Sequence, residues 1–146
     1  MRHSLIRTTQ VIGLVLGLSL FASVGTAYAG TEVSDYMSQG WGNATVKAQI
    51  LDGKLIASAE LTDTGKDGKC VYVEYRADIR FGDGGSQFAN DPDKTVVKVC
   101  GTDNTGSDRV VYTLGVFDTV HSVEFKLCKK GWLQDPCIKK KVYPTA

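Results

Sequence analysis

Catalytic chemistry in this 146-residue sequence would have to be built from few side chains. The sequence contains two histidines, His3 and His121, and only His121 lies beyond the first 29 residues. A serine–histidine–aspartate triad needs an exposed histidine beside a nucleophile. His121 instead shares a period-two register with Val123, Phe125 and Leu127, which is typical of the buried face of a strand. We therefore interpret His121 as a core or edge-of-core residue and predict no catalytic residue.

Carboxylates are more numerous, and two clusters of them at residues 63–68 and 90–93 contain the oxygen ligands that calcium prefers. Neither cluster completes an EF-hand loop, and Lys66 opposes a cation in the first one. Many of the acids lie in turns, where Asp forms local backbone hydrogen bonds. A glycosidase-like acid pair stays open, because only separation in space identifies it. We expect a protein that is not an enzyme and that uses neither metal nor cofactor.

The four cysteines offer disulfide formation as the second kind of chemistry. Four cysteines allow three pairings, but the short span between Cys128 and Cys137 favours a local bridge, which leaves Cys70 with Cys100. Zinc is disfavoured because the sequence has no C-x-x-C spacing. Cys70, Cys100 and Cys128 each lie on the more polar register of a strand, so we expect the bridges to clamp strand ends rather than cross the core.

The first 29 residues are predicted to be a secretory signal peptide. Arg2 and Arg7 precede an apolar run over residues 11–24, and a small-residue cleavage motif follows at 27–29. The apolar run is shorter than the roughly 20 residues that span a bilayer. No second apolar span follows, so we expect a secreted protein with no membrane span, in a compartment that permits disulfides.

The elements that must position these residues have the pattern of strands. Residues 70–81 alternate most cleanly, with apolar odd-numbered and polar even-numbered side chains, as in a sheet with one buried face. Asp52-Gly53 between alternating runs predicts a hairpin turn, and residues 82–93 are interpreted as a long connection. Further strands are expected at 44–51, 54–61, 95–100, 109–117, 120–128 and 137–143. The pattern predicts an all-β, disulfide-braced antiparallel β-sandwich of about seven strands, with a β-barrel as the second choice.

Residues 30–43 lack a sustained period and are assigned to an N-terminal arm, which leaves residues 44–146 as the sandwich domain. The arm carries Tyr36, Met37 and Trp41. These side chains either fold back onto the core or form an exposed apolar surface for a partner. Strand 109–117 is apolar on both faces and is expected to lie centrally in its sheet.

A lysine-rich hairpin at the C-terminal end is the second candidate surface. A bridge between its cysteines would fix the loop that presents Trp132 and Leu133. The lysines around Trp132 are Lys126, Lys129, Lys130, Lys139, Lys140 and Lys141. Lysines on an edge strand can simply prevent sheet aggregation. Alternatively, Trp132 anchors a docking surface in which Lys129 and Lys130 contact an acidic partner or an anionic wall polymer.

Charge argues against nucleic acid as a partner. The sequence has 17 basic and 16 acidic residues, and removal of the predicted signal peptide would take away two of the basic ones. A nucleic-acid-binding domain usually carries a strong basic excess to neutralise phosphates. We expect the partners to be other secreted proteins instead.

The order of an export signal, the stretch Asp67-Gly68-Lys69-Cys70 and the hairpin from Cys128-Lys129-Lys130 to Asp135-Pro136-Cys137 resembles small secreted two-disulfide proteins of actinobacteria. Among these it resembles the connector subunit of umbrella toxin particles. The resemblance implies a non-enzymatic adaptor with two separate binding surfaces, which joins a lectin-bearing subunit to a large repeat-containing toxin subunit. Two other classes stay open: a secreted protease inhibitor whose braced loop enters the active site, and an extracellular hydrolase.

Overall fold

The computed structural model describes residues 30–82, 84 and 86–146, without the side chains of residues 86–93. The predicted signal peptide and its cleavage site lie outside the described residues, and so do the side chains of the acidic cluster at 90–93. No helix in the described part of the chain is long and apolar enough to cross a membrane.

The described chain is all-β, which confirms the predicted fold class. It forms eight antiparallel strands, one more than expected. They are β1 (Val33–Gln39), β2 (Gly42–Leu51), β3 (Lys54–Asp63), β4 (Cys70–Arg80), β5 (Ser86–Cys100), β6 (Thr105–Thr113), β7 (Thr119–Lys129) and β8 (Cys137–Val142). Four strands form sheet A in the order β1-β2-β3-β6, and four form sheet B in the order β5-β4-β7-β8.

The core lies between the two sheets and follows the period-two pattern. Sheet A contributes the inward side chains of β2 and β3, and sheet B contributes those of β4 and β7. The largest fully buried side chains include Tyr75, Phe125, Met37, Leu55 and Leu61. The Asp52-Gly53 turn joins β2 to β3 as predicted, with φ values of 50° and 68°.

The predicted disulfide pairing is confirmed. Cys70 is bonded to Cys100 and Cys128 to Cys137, with Cα–Cα distances of 4.1 and 4.2 Å. Each bridge joins directly opposite residues at the ends of neighbouring strands of sheet B. Both therefore clamp strand ends, and neither crosses the core. Two such bridges are consistent with an extracellular or otherwise oxidising compartment.

Residues 33–39, assigned to the arm from sequence, form strand β1 at the edge of sheet A. β1 pairs with β2 over its whole length, from Val33 opposite Ala48 to Gln39 opposite Gly42. Its inward positions are occupied by Val33, Asp35 and Met37. Asp35 lies near the open edge of the sandwich, where its carboxylate is 3.5 Å from the Lys140 ammonium of β8. Because Asp35 is charged, the inward positions of β1 are not uniformly apolar, and the period-two pattern of a strand is not evident from the sequence.

The expected central position of the sixth strand is wrong, because β6 lies at the free edge of sheet A. It also begins earlier than expected and ends at Thr113. One face of β6 packs Val110 and Tyr112 against the core, while Val111 on the other face is exposed. The connection expected over residues 82–93 is shorter than predicted, since β5 begins at Ser86 and pairs with β4 in the same sheet.

The prediction that His121 lies in or beside the core is also wrong. In the pairing of β7 with β4, Ser122 is opposite Asp78 and Val120 is opposite Ile79, so His121 has no opposite residue. This irregularity is a β-bulge, which resets the alternation of side chains along the strand. His121 is consequently exposed, and its ring lies 6.2 Å from that of Tyr143 in an edge-to-face arrangement.

Candidate functional site

The predicted C-terminal surface is a short loop, residues 130–136, that joins β7 to β8 at one end of the sandwich. The Cys128–Cys137 bridge closes its base. Beside the bridge, the Lys129 amide donates to the Pro136 carbonyl at 3.1 Å, and the Lys130 amide donates to the Cys70 carbonyl at 2.9 Å. The loop is thus fixed both to itself and to the neighbouring strand β4.

Asp135 organises the inside of this loop. Its carboxylate accepts hydrogen bonds from the Gly131 amide at 2.7 Å, from the Tyr72 hydroxyl, and from the Lys130 ammonium at 3.0 Å. These bonds, led by the one from the Gly131 amide, lower the pKa of Asp135 to about 2. A carboxylate held by several donors is stabilised in its charged form.

The loop lies against the outer face of sheet B. Tyr72 points outward from β4 and is nevertheless buried. Lys130 lies over its ring, with the ammonium nitrogen 5.1 Å from the ring centroid. At Gly131, a Cβ atom would collide with the Gln134 carbonyl, so this position requires glycine. Lysine, tyrosine and aspartate together hold one compact loop conformation.

Lys129 helps to hold the loop in place and is not part of its exposed surface. Its ammonium nitrogen lies 2.9 Å from an Asp67 carboxylate oxygen and 6.0 Å from the centroid of the Trp41 ring. The hydrogen bond from Lys129, with a second one from the Lys69 amide, lowers the pKa of Asp67. Trp41 itself is partly buried against the core.

The loop presents Trp132 and Leu133, which we call the hairpin tip. Trp132 is 95% exposed and Leu133 is 102% exposed. Large apolar side chains held fully in water on a braced loop are typical of interaction sites. The structure therefore brings Trp41, Lys129, Lys130 and Trp132 to one end of the molecule, with Trp132 outermost.

The other two candidate partner-binding residues lie elsewhere. Met37 is fully buried in the core, so it is not part of an exposed surface in this fold. Tyr36 is exposed on the outer face of sheet A and is opposite Thr45 of β2. The residues proposed from sequence as an apolar arm are thus divided among the core, the outer face and the loop end.

A second pair of exposed apolar side chains, Val116 and Phe117, lies in the connection between β6 and β7; we call it the opposite tip. Val116 is 92% exposed and Phe117 is 78% exposed. Asp118 braces this turn, because its carboxylate accepts from the Gly115 amide at 2.7 Å and its own amide donates to the Gly115 carbonyl at 3.1 Å. At Gly82, a Cβ atom would collide with the Phe117 side chain, so Phe117 lies close against that backbone.

The sequence does not predict the opposite tip, because Val116 and Phe117 continue the apolar alternation of β6 and the pattern extends that strand to residue 117. The observed strand ends at Thr113. The only local signal for an earlier end is Gly115 followed by Asp118, a combination that suits a turn. Among the described residues, these two tips hold the four most exposed large apolar side chains.

The carboxylates of the acidic cluster at residues 63–68 accept hydrogen bonds from nearby backbone amides. One Asp63 carboxylate oxygen accepts from the Gly65 amide at 3.0 Å, and one Asp67 oxygen accepts from the Lys69 amide at 3.1 Å. Within the described residues, no three His, Cys, Asp or Glu side chains converge as metal ligands would. These carboxylates shape the turn between β3 and β4.

No known protein family, curated protein or solved structure matches this chain.

Proposed function

We propose that this protein is a secreted, non-enzymatic adaptor that bridges two partner proteins in an extracellular, toxin-type complex through the hairpin tip and the opposite tip. The observation that carries the proposal is the placement of two exposed apolar pairs at opposite ends of β7. Val116 and Phe117 precede β7, while Trp132 and Leu133 follow it. The 11 residues of that strand separate the tips by roughly 35 Å, given a rise of about 3.3 Å per residue.

The bracing of each tip supports a binding role. Association loses free energy when loops and side chains must be ordered, so a loop that is already fixed binds with a smaller entropic loss. The hairpin tip is fixed by a disulfide and by Asp135, and the opposite tip by Asp118. Tryptophan and phenylalanine bury large apolar areas, and tryptophan is enriched among residues that dominate binding energy.

The separation of the tips supports bridging rather than a single contact. A standard interface covers about 800 Å² on each partner, a patch of roughly 30 Å across. Two tips about 35 Å apart can therefore be covered by different proteins at once. This arrangement agrees with the two-surface adaptor that the resemblance to umbrella toxin connectors implies.

Capture of co-secreted proteins with paired variants tests the proposal. Tagged protein would be incubated with culture medium of the producing organism, and the bound proteins quantified. We expect Trp132→Ala/Leu133→Ala to lose one partner and Val116→Ser/Phe117→Ser to lose a different one. Val111→Ser, which removes an exposed apolar side chain away from both tips, should lose neither. Identical captures by all three variants would contradict the proposal.

Protease inhibition is the second candidate, and the bracing of the 130–136 loop is the observation that favours it. An inhibitory loop must stay in one conformation in the active site, and Trp132 or Leu133 would suit an apolar specificity pocket such as that of chymotrypsin. Incubation with chymotrypsin-like and subtilisin-like proteases, followed by measurement of their activity, tests whether this protein is an inhibitor. Inhibition that is lost in Trp132→Ala/Leu133→Ala supports this candidate, whereas cleavage without inhibition rules it out.

A further inference from the structure

The outer face of sheet A carries a separate polar surface, distinct from both tips. The strand registers place Tyr36 opposite Thr45, Thr45 opposite Glu60, and Glu60 opposite Ser107. These four side chains form one row across all four strands. The next row along the strands contains Ser34, Lys47, Ser58 and Arg109.

A cavity of about 350 Å³ lies over these two rows. Its lining includes the short, hydroxyl-bearing side chains of Thr45, Ser58 and Ser107. It is also lined by the longer side chains of Lys47, Glu60 and Arg109. Tyr36 does not line the cavity but lies opposite one of its lining residues, Thr45, in the neighbouring strand. This volume falls in the range of small-molecule binding sites, about 300–1,000 Å³.

The charges around the cavity nearly balance, and two of them are free to bind. The Lys47 ammonium pairs with Glu32 at 3.0 Å. One Asp108 carboxylate oxygen accepts from the Arg109 amide at 2.7 Å. The described residues give the Glu60 carboxylate and the Arg109 guanidinium no hydrogen-bond or ion-pair partner. The cavity thus offers a free acceptor, a free donor, and hydroxyl groups that can act as either.

We propose that this face binds a neutral saccharide chain. A pyranose ring presents neighbouring hydroxyls that both donate and accept hydrogen bonds, which matches the Glu60 carboxylate, the Arg109 guanidinium and the hydroxyls between them. The flat, apolar C–H face of such a ring packs against an exposed aromatic ring, and the exposed Tyr36 supplies one on the strand next to the lining residue Thr45. A charged ligand of either sign is disfavoured relative to a neutral one, because Glu60 and Asp108 would repel an anion while Lys47 and Arg109 would repel a cation.

The dimensions suit more than one sugar unit. Four strands spaced about 4.8 Å apart present a face roughly 14 Å wide between the outer strand axes. The row from Tyr36 to Ser107 therefore spans about three pyranose rings in a chain that crosses the strands. The saccharide would lie across sheet A, and both tips would stay free for proteins. The proposal does not depend on the adaptor function.

Titration of the isotope-labelled protein with cellotetraose, and separately with chitotetraose, tests the proposal by NMR. At least one of these neutral chains should shift the amide signals of Tyr36, Thr45, Ser58 and Arg109 in a saturable manner. Glu60→Gln keeps the size of the side chain and removes its charge, and should weaken binding by at least about tenfold, because a hydrogen bond to a charged group is lost. Tyr36→Ala should also weaken it.

Trp132→Ala is the matched control, since it removes an exposed aromatic ring outside the cavity and should leave saccharide affinity unchanged. Unaltered spectra with both oligosaccharides at millimolar concentration would overturn the proposal. Shifts confined to the tips, or equal affinity in Glu60→Gln and the unaltered protein, would overturn it as well. Because neither readout involves a partner protein, failure here is distinguishable from failure of the adaptor function.

Discussion

At the residue scale, Asp135 links the candidate site to the fold. Its carboxylate gathers a backbone amide, a tyrosine hydroxyl and a lysine ammonium. Its side chain thereby ties the loop that carries Trp132 to Tyr72 of sheet B. The sequence indicates Trp132 and the lysines as a candidate surface but does not indicate the role of this carboxylate, because Asp135-Pro136 by itself indicates only a turn.

The titration of Asp135 gives a pH-dependent prediction. Its pKa is about 2 in the folded protein, below the ordinary value of 3.8. Because the pKa of Asp135 is lower in the folded protein than in the unfolded chain, its ionised carboxylate stabilises the native loop at pH values above about 4. This stabilisation is lost as the pH falls from about 4 to about 2. The Gly131 amide signal should therefore titrate with a midpoint near 2 in an NMR pH series.

Asp135→Asn provides the control for this titration. Asparagine keeps the size of the side chain and removes its charge, so the Gly131 amide should show no midpoint near 2. Amide exchange in residues 130–136 should be faster in this variant at neutral pH, because the charge-assisted hydrogen bonds are lost. A midpoint near 3.8 in the unaltered protein would show that the contacts of Asp135 do not persist in solution.

Met37 and Tyr36 give a second residue-scale prediction, because neighbours in β1 face opposite ways. Met37→Ala removes a fully buried side chain and should lower the free energy of unfolding by about 2–5 kcal/mol. Tyr36→Ala acts on an exposed side chain and should change it by less than about 1 kcal/mol. Urea denaturation measures both, and equal small effects would mean that residues 33–39 do not form part of the sandwich.

At the scale of elements, alternation predicted the strands wherever one face is uniformly apolar. Strands β2, β3, β4 and β7 satisfy this condition and were located within a few residues of their observed ends. The cysteine spacing also predicted both bridges. The positions of these strands depend on the local sequence, and a period of two in the apolar residues indicates them directly.

The sequence does not predict β1, the first part of β5 or the bulge at His121, because each depends on more than the local alternation of apolar residues. β1 carries Asp35 at an inward position, where an ion pair with Lys140 of another strand replaces an apolar contact. β5 includes Pro92, which cannot donate a backbone hydrogen bond within a sheet. The strand tolerates it because residues 90–93 are not paired with β4. The register passes from Tyr75 opposite Lys94 to Ala77 opposite Ala89. The bulge at His121 depends on the register with β4, which sequence alone does not contain.

The two disulfides differ in the length of chain they close, which gives a prediction at this scale. The sequence separations are 30 for Cys70–Cys100 and 9 for Cys128–Cys137. The loop-entropy model gives contributions of about 3.6 and about 2.6 kcal/mol, respectively. Replacing Cys70 and Cys100 by alanine should therefore destabilise the protein more than replacing Cys128 and Cys137, as measured by urea denaturation. The reverse order would show that native contacts around the shorter loop outweigh chain entropy.

At the scale of the whole molecule, the sandwich acts as a rigid spacer between the two tips. β7 connects them directly and lies in the interior of sheet B, between β4 and β8. Its central residues, including Val123, Phe125 and Leu127, are fully buried. In the proposed complex, a partner at one tip would consequently be held at a fixed distance from a partner at the other.

This arrangement also determines which variants can test binding. Deletion of residues 30–43 would remove β1 and Met37 from the fold, so any lost association would be ambiguous. Point substitutions at the tips avoid this difficulty because Trp132, Leu133, Val116 and Phe117 are exposed. Their effect on the free energy of unfolding should stay within about 0.5 kcal/mol.

The composition of the complexes that form around this protein tests the central claim most directly. Mass photometry of the tagged protein with its captured partners should show a particle that contains both partners and one copy of this chain. Trp132→Ala/Leu133→Ala and Val116→Ser/Phe117→Ser should each reduce it to a binary complex, and the retained partner should differ between them. A particle that both variants leave intact, or one in which both variants lose the same partner, would contradict a bridge built from two tips.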